Sequence, residues 1–254
     1  TAVVLAVYPP LLANDTVTLT EPLALVLLLA ALLLLDEHRW AWAGLVTGLV
    51  LLTRPNGYLV VAILALWCWR RVDLKAAVGL VVIAGAVLAP WLVRNQIQVG
   101  TWRPTTSDGF TIAAIYAQPA REAGTFIDPV FSPAYDGWEF RLAQFDEAEW
   151  NELLTETGLD GVREDPGYVW RTVRRNFRGY FELDPELNRY PEDNDGRRWE
   201  ARQAALPVFY AVSLLGLVGL AIRWRDERTI VLVLLTAQFV VLSLLLVAPP
   251  RLRA

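Results

Sequence analysis

The stretch from Thr16 to Leu35, TVTLTEPLALVLLLAALLLL, constrains this chain more than any other, because from Pro22 to Leu35 it carries no charged residue. Proline at a first helical position followed by strong helix formers marks a helix start, and the Leu-rich run behind it predicts a membrane helix. Pro22 to Leu35 at about 1.5 Å per residue spans about 21 Å, short of the roughly 30 Å hydrocarbon core. A helix begun upstream, near Val17, reaches across but then takes Glu21 inside it. In either case Glu21 is expected at or below the membrane surface, where an ionised group needs a partner or a water-filled cavity. Glu21 is therefore the first candidate functional residue.

A chain that is 55% hydrophobic but also 20% charged cannot lie wholly in a membrane, so its charges must be segregated. Most fall between Arg94 and Arg202. The expected organisation is transmembrane helices over 1–93, an extracytoplasmic domain over 94–203, and further transmembrane helices over 204–254. Thr1 to Leu12 reads as the end of a helix broken by Pro9-Pro10. The absence of Met and the apolar start at Thr1 predict a piece of a longer chain, truncated also after Ala254. Cys68 is the single cysteine, which excludes an internal disulfide and a cysteine-based metal site. A net charge of −4 and the lack of Walker, Rossmann or zinc spacings give no indication of nucleic acid or nucleotide binding.

After the charged turn Asp36 to Trp40, in which His38 reads as a solvated residue and not a ligand, two apolar arms follow. Trp40 to Thr53 leads to Arg54-Pro-Asn-Gly57, and Tyr58 to Trp69 returns to Arg70 and Arg71. Each arm is shorter than the roughly 20 residues of a spanning helix, so the turn with Arg54 and Asn56 is expected to be recessed. A charge at that depth is tolerated only where protein or trapped water satisfies it. Leu74 to Val93 is long enough to span, ending at Pro90-Trp91 with an aromatic anchor. Ala204 to Ile222 and Thr229 to Val247 predict two more spans.

Within the polar region, Asp146 and Glu149 predict the start of a helix running to about Thr157. Asp165-Pro166 predicts a second, to about Phe181. On that second helix Val169, Trp170, Val173, Phe177, Tyr180 and Phe181 recur at helical spacing beside Arg171, Arg174, Arg175 and Arg178. The pattern fits either an interfacial membrane helix or a helix packed on the core of its own domain.

Strict alternation of spans puts the turns 36–40, 70–75 and 223–228 on one side. They hold Arg39, Arg70, Arg71, Lys75, Arg223, Arg225 and Arg228, and the positive-inside rule places that side in the cytoplasm. Glu21, Arg54, the 94–203 domain and Arg251 are then expected on the extracytoplasmic side of the plasma membrane.

Four short motifs occur in order: Leu19-Thr-Glu-Pro-Leu23, Leu52-Thr-Arg-Pro-Asn-Gly57, Pro90-Trp-Leu-Val-Arg-Asn95 and Pro250-Arg-Leu-Arg253. In order and spacing they resemble the bacterial GT-C glycosyltransferases of the protein O-mannosyltransferase and aminoarabinose transferase type, over nearly the whole chain. Thr105-Thr-Ser-Asp-Gly109 stands where relatives often have a Ser/Thr-Asn-Gly-Gly turn, with Asp108 in place of Asn. The resemblance implies an all-α, multi-pass membrane bundle with a mixed, mostly helical and irregular extracytoplasmic domain. It implies inverting transfer of a sugar from a polyprenyl-phosphate donor to a glycan, lipid or protein acceptor.

Family members carry the catalytic carboxylate in a first extracytoplasmic loop. No segment here corresponds to it, so the general base is expected upstream of Thr1 and this piece alone is expected to be inactive. The candidates for binding the lipid phosphate or the sugar are Arg54, Asn56, Arg251 and Arg253. Glu21 is the candidate active-site carboxylate, placed to orient the acceptor, to hold a divalent metal, or to pair with Arg54; no metal site is otherwise expected. A transporter or flippase subunit, or a non-catalytic membrane scaffold with an exported domain, shows the same short helices and recessed charges, so those readings stay open.

Overall fold

A computed structural model of the chain describes residues 20–54, 57–130, 132–135, 146–184, 187 and 199–246, apart from the side chains of Glu21, Ala201 and Arg202. All regular structure among the described residues is helical. In chain order the α-helices are α1 (Thr20–Asp36), α2 (Trp40–Thr53), α3 (Tyr58–Arg71), α4 (Leu74–Val99), α5 (Asp108–Tyr116), α6 (Gln118–Ala123), α7 (Glu147–Glu164), α8 (Pro166–Tyr180), α9 (Trp199–Arg223) and α10 (Glu227–Leu245). Of these α4, α9 and α10 are long and apolar enough to cross a membrane, and α1 and α2 are shorter apolar helices. The chain is a helical membrane protein in this sense.

The fold divides into two compact units: residues 1–88, 182–240 and 249–254, and residues 89–181 with 241–248. In the first unit, Leu28, Ala31 and Leu35 of α1 are buried while Leu23, Val26, Leu29 and Leu33 are exposed. A helix apolar on all sides suits a protein neighbour on one face and lipid on the other. Helix association in lipid relies on close backbone approach between small residues, and α2 meets α4 in this way. A Cβ on Gly44 would lie 2.9 Å from the Leu80 carbonyl oxygen, and one on Gly48 would lie 2.5 Å from Val87 Cβ. In return Gly79 of α4 admits the Trp40 ring, which a Cβ there would meet at 2.5 Å.

The second unit is built on α5 against α7. A Cβ on Gly158 would lie 2.6 Å from the Ile112 side chain, and one on Gly161 only 1.9 Å from the Tyr116 carbonyl oxygen. Polar groups are matched as the helices close: the Gly109 N–H donates to Asn151 Oδ1 at 2.8 Å, and the Tyr135 hydroxyl donates to the Ala113 carbonyl at 3.1 Å. Burial drives the Tyr135 hydroxyl up to about 12, so it stays a donor. Asp146 caps α7 through the Glu149 N–H at 2.8 Å, and Asp165 caps α8 through the Tyr168 N–H at 3.1 Å, both as the sequence predicts.

Three helices outrun their expected ends. α7 continues past Thr157 to Glu164, because Gly158 and Gly161 face α5 and their contact offsets the weak helix propensity of glycine. α9 begins at Trp199 and contains Pro207. α4 continues through Pro90 to Val99, although proline removes one intrahelical hydrogen bond. Its extra turns are anchored from outside: Trp91 Nε1 donates to the Pro104 carbonyl at 2.8 Å, and Asn95 Nδ2 donates to the Arg103 carbonyl at 2.9 Å.

Candidate functional site

Helices α2 and α3, at 14 residues each, rise about 21 Å apiece. They form a hairpin with Arg54 at its tip, where the Arg54 N–H donates to the Val50 carbonyl at 2.8 Å and the Gly57 N–H returns to the Arg54 carbonyl at 2.9 Å. Arg54 leaves the helix with extended backbone, φ −141° and ψ 97°, and is half-buried. The two short arms of the sequence reading are therefore present. Of the other candidates, Asn56, Arg251 and Arg253 lie outside the described residues, as does the side chain of Glu21, whose backbone occupies the first turn of α1. Only Arg54 of that set has a described side chain.

Far from that tip, at the Arg71 end of α3, the basic turns meet. Asp36 at the end of α1 accepts from Arg71 Nη2 at 2.6 Å and from Arg228 Nε at 2.9 Å. One carboxylate thus gathers the turns 36–40, 70–75 and 223–228 at one end of the first unit. α1 ends there in a Schellman-type cap: Arg39 N–H reaches the Leu34 carbonyl at 2.8 Å, His38 N–H the Leu35 carbonyl at 3.0 Å, and His38 takes φ 60°. The lone histidine therefore closes a helix.

The motif Pro90-Trp-Leu-Val-Arg-Asn95 holds the loop that follows α4. Besides the two side-chain bonds to that loop, Arg94 stacks over the Trp91 ring at 4.8 Å and donates to Asn95 Oδ1 at 3.0 Å. Thr105-Thr-Ser-Asp-Gly109 then turns into α5, with Thr105 and Ser107 hydroxyls 2.8 Å apart, Thr106 bonded to Glu147, and Gly109 buried on Asn151. Asp108 is an exposed residue in the first turn of α5. Partial desolvation lifts its carboxyl and Arg103 opposes the lift.

Arg54 lines neither of two clefts. One, about 380 Å³, is lined by Gln118, Arg121, Glu122 and Glu164; Gln118 donates to Glu122 and Arg121 pairs with Glu164, while Arg121 Nε has no partner among the described residues. The other, about 300 Å³, is an apolar groove between α3 and α4 lined by Leu66, Trp69, Val78 and Val82 among others. Among the described residues no group of three or more His, Cys, Asp or Glu side chains is placed to hold a metal ion.

One polar residue passed over by motif reading is Gln238. It lies in the apolar run of α10, 7% exposed, and neither its amide nitrogen nor its oxygen has a hydrogen-bond partner among the described residues. A lone amide in an apolar helix is the sequence signal for such a residue. No family model matches this chain, nor does any curated protein or solved structure.

Proposed function

We propose that the chain is part of an integral-membrane glycosyltransferase that moves a sugar from a polyprenyl-phosphate donor to an acceptor outside the cytoplasm. The observation that carries the reading is Arg54 at the tip of a hairpin whose arms are each about 9 Å shorter than a roughly 30 Å hydrocarbon core. A guanidinium at such a tip is suited to receive a lipid-borne phosphate from the bilayer. The order of the four motifs and the gathering of the basic turns at Asp36 support the same orientation, with Arg54 facing out and the basic end in the cytoplasm.

In the proposed reaction a carboxylate takes the proton of an acceptor hydroxyl as that oxygen attacks the anomeric carbon. The bond from that carbon to the phosphate oxygen breaks, and the polyprenyl phosphate leaves with the electron pair. Charge accumulates on the departing phosphate, and a guanidinium meets it with two parallel hydrogen bonds. Arg54 is assigned that role, and Glu21 the orientation of the acceptor.

The test is donor use by the complete protein in lipid nanodiscs, with a radiolabelled polyprenyl-phosphate sugar. Loss of charged hydrogen bonds of about 1.5–3 kcal/mol corresponds to roughly 10- to 150-fold weaker donor use in Arg54→Ala. Arg54→Lys is expected to be impaired as well, because lysine lacks the planar fork. If Arg54 instead serves only as an ion-pair partner of Glu21, removing both charges restores what either single change loses. Unaltered donor affinity and turnover in Arg54→Ala overturns the assignment.

A further inference from the structure

Helix α8 packs on its own unit through a polar face and leaves aromatic rings outside. Its buried residues are Tyr168, Thr172, Asn176 and Gly179, a polar stripe. At about 100° per residue, the next sector holds half-buried Val169, Val173 and Tyr180, and beyond it stand Phe177 and Trp170, which are 44% and 70% exposed. Phe181 stacks on Phe177 with ring centroids 4.7 Å apart. The following sector is basic, with Arg171, Arg174 and Arg178 all exposed and Arg171 paired with Asp165. The helix contains no Asp or Glu.

The polar stripe has a defined use. Asn176 Nδ2 donates to the carbonyls of Leu244 at 3.0 Å and Leu246 at 2.8 Å, and the Tyr116 hydroxyl bonds the carbonyl of Leu245. These are carbonyls at the C-terminal end of α10, which have no intrahelical partners. Leu246 also packs on the cluster of Ile115, Tyr116 and Tyr168. α10 has 19 residues, about 29 Å, which matches one hydrocarbon thickness. α8 is therefore fastened to the point at which a membrane-spanning helix leaves the hydrocarbon.

We infer that α8 is an interfacial anchor that lies in the bilayer surface, with Trp170 and Phe177 in the boundary between headgroups and acyl chains and Arg174 and Arg178 on anionic headgroup phosphates. Aromatic rings and arginines at one depth are the chemistry of that layer. A second copy of this chain is a poorer occupant, since a two-fold contact through this face would oppose its own arginines. The inference rests on α10 spanning the membrane and is independent of sugar transfer.

Site-directed spin labelling of the complete protein tests it, in a Cys68→Ala background reconstituted into vesicles of phosphatidylcholine with about one-third phosphatidylglycerol. Labels introduced as Trp170→Cys and Phe177→Cys are expected to favour oxygen over an aqueous nickel chelate severalfold more than a label at Asp160→Cys, on exposed α7. A Leu232→Cys label on α10 serves as the lipid-exposed reference. Arg174→Gln with Arg178→Gln should move the labels at 170 and 177 toward water. Aqueous accessibility at 170 and 177 equal to that at 160 overturns the inference, as does spin–spin broadening between copies at 170. An aqueous label at 232 overturns it too, by removing its premise.

Discussion

The α2–α4 crossing in the first unit and the α5–α7 crossing in the second use the same device, glycine at a close helix approach, in different surroundings. At Gly48 the nearest obstacle is the Val87 side chain; at Gly161 it is the Tyr116 backbone. Around the first crossing, exposed faces are still leucine and valine. Around the second, the seam is stitched by Asn151, Tyr135 and the Asp146 cap. Where lipid surrounds the helices, burial of apolar surface does not distinguish packed from unpacked, and close contact carries the association. In water the hydrophobic effect drives closure, and most buried polar groups find a partner; in the second unit Thr172 Oγ1 is an exception among the described residues.

The comparison is broken most severely at Gly161. Gly161→Ala puts a Cβ 1.9 Å from a backbone oxygen, and the strain is expected to reach or exceed the upper end of the roughly 1–3 kcal/mol range for overpacking; thermal unfolding and limited proteolysis of the second unit will report it. Gly48→Ala meets Val87, which can turn, but also the Ala84 carbonyl oxygen at 2.9 Å, so about 1–2 kcal/mol is expected. Gly216→Ala in α9, with nothing within 4 Å, should be neutral or stabilising by up to about 1 kcal/mol. Equal effects at 161 and 216 would show that the close approaches are not stability determinants.

Gln238→Leu sharpens the contrast from the other side. An unsatisfied buried amide replaced by an apolar group of similar shape is expected to raise stability by about 1–3 kcal/mol. A gain in melting temperature together with lost donor turnover would mark Gln238 as a substrate contact; a loss of stability would mean that its amide is satisfied.

At the basic end, Asp36→Asn leaves Arg71 and Arg228 facing a neutral amide. These are partly exposed pairs, so only about 1 kcal/mol is expected, read as a lower melting temperature in detergent.

The smallest effect is at Asp165, held below its ordinary 3.8 chiefly by its hydrogen bond from Arg171. A depressed carboxylate contributes stability above its unfolded value and loses it as pH falls through the folded one. Asp165→Asn, which retains the cap oxygen, should therefore lower the melting temperature slightly at neutral pH and leave it unchanged at pH values below the folded pKa. A constant difference across that range would exclude the charge as its cause.

Local chemistry was readable wherever it acts between residues close in sequence. The charge-free Leu run, the two short arms closed by Arg54, and the Asp146 and Asp165 caps need only neighbours in the chain, and all are in the structure. The helix ends at Val99 and Glu164 were not readable, because the contacts that sustain them come from Pro104 and from α5. The close approach of Gly44 and Gly48 to α4 was not readable, since hydrophobicity assigns the same value to every face of such helices. For the candidate site, residue types and motif order nominated Arg54. Its surroundings depend on side chains distant in sequence, and Gln238 carries no motif at all. The amphipathic pattern of α8 allowed two readings from the start. Only tertiary packing decided which face is buried: Tyr168 bonds the Ala120 carbonyl and Asn176 those of Leu244 and Leu246, while Trp170 and Phe177 stay exposed, because the open carbonyls at the end of α10 need donors that lie far from them in sequence.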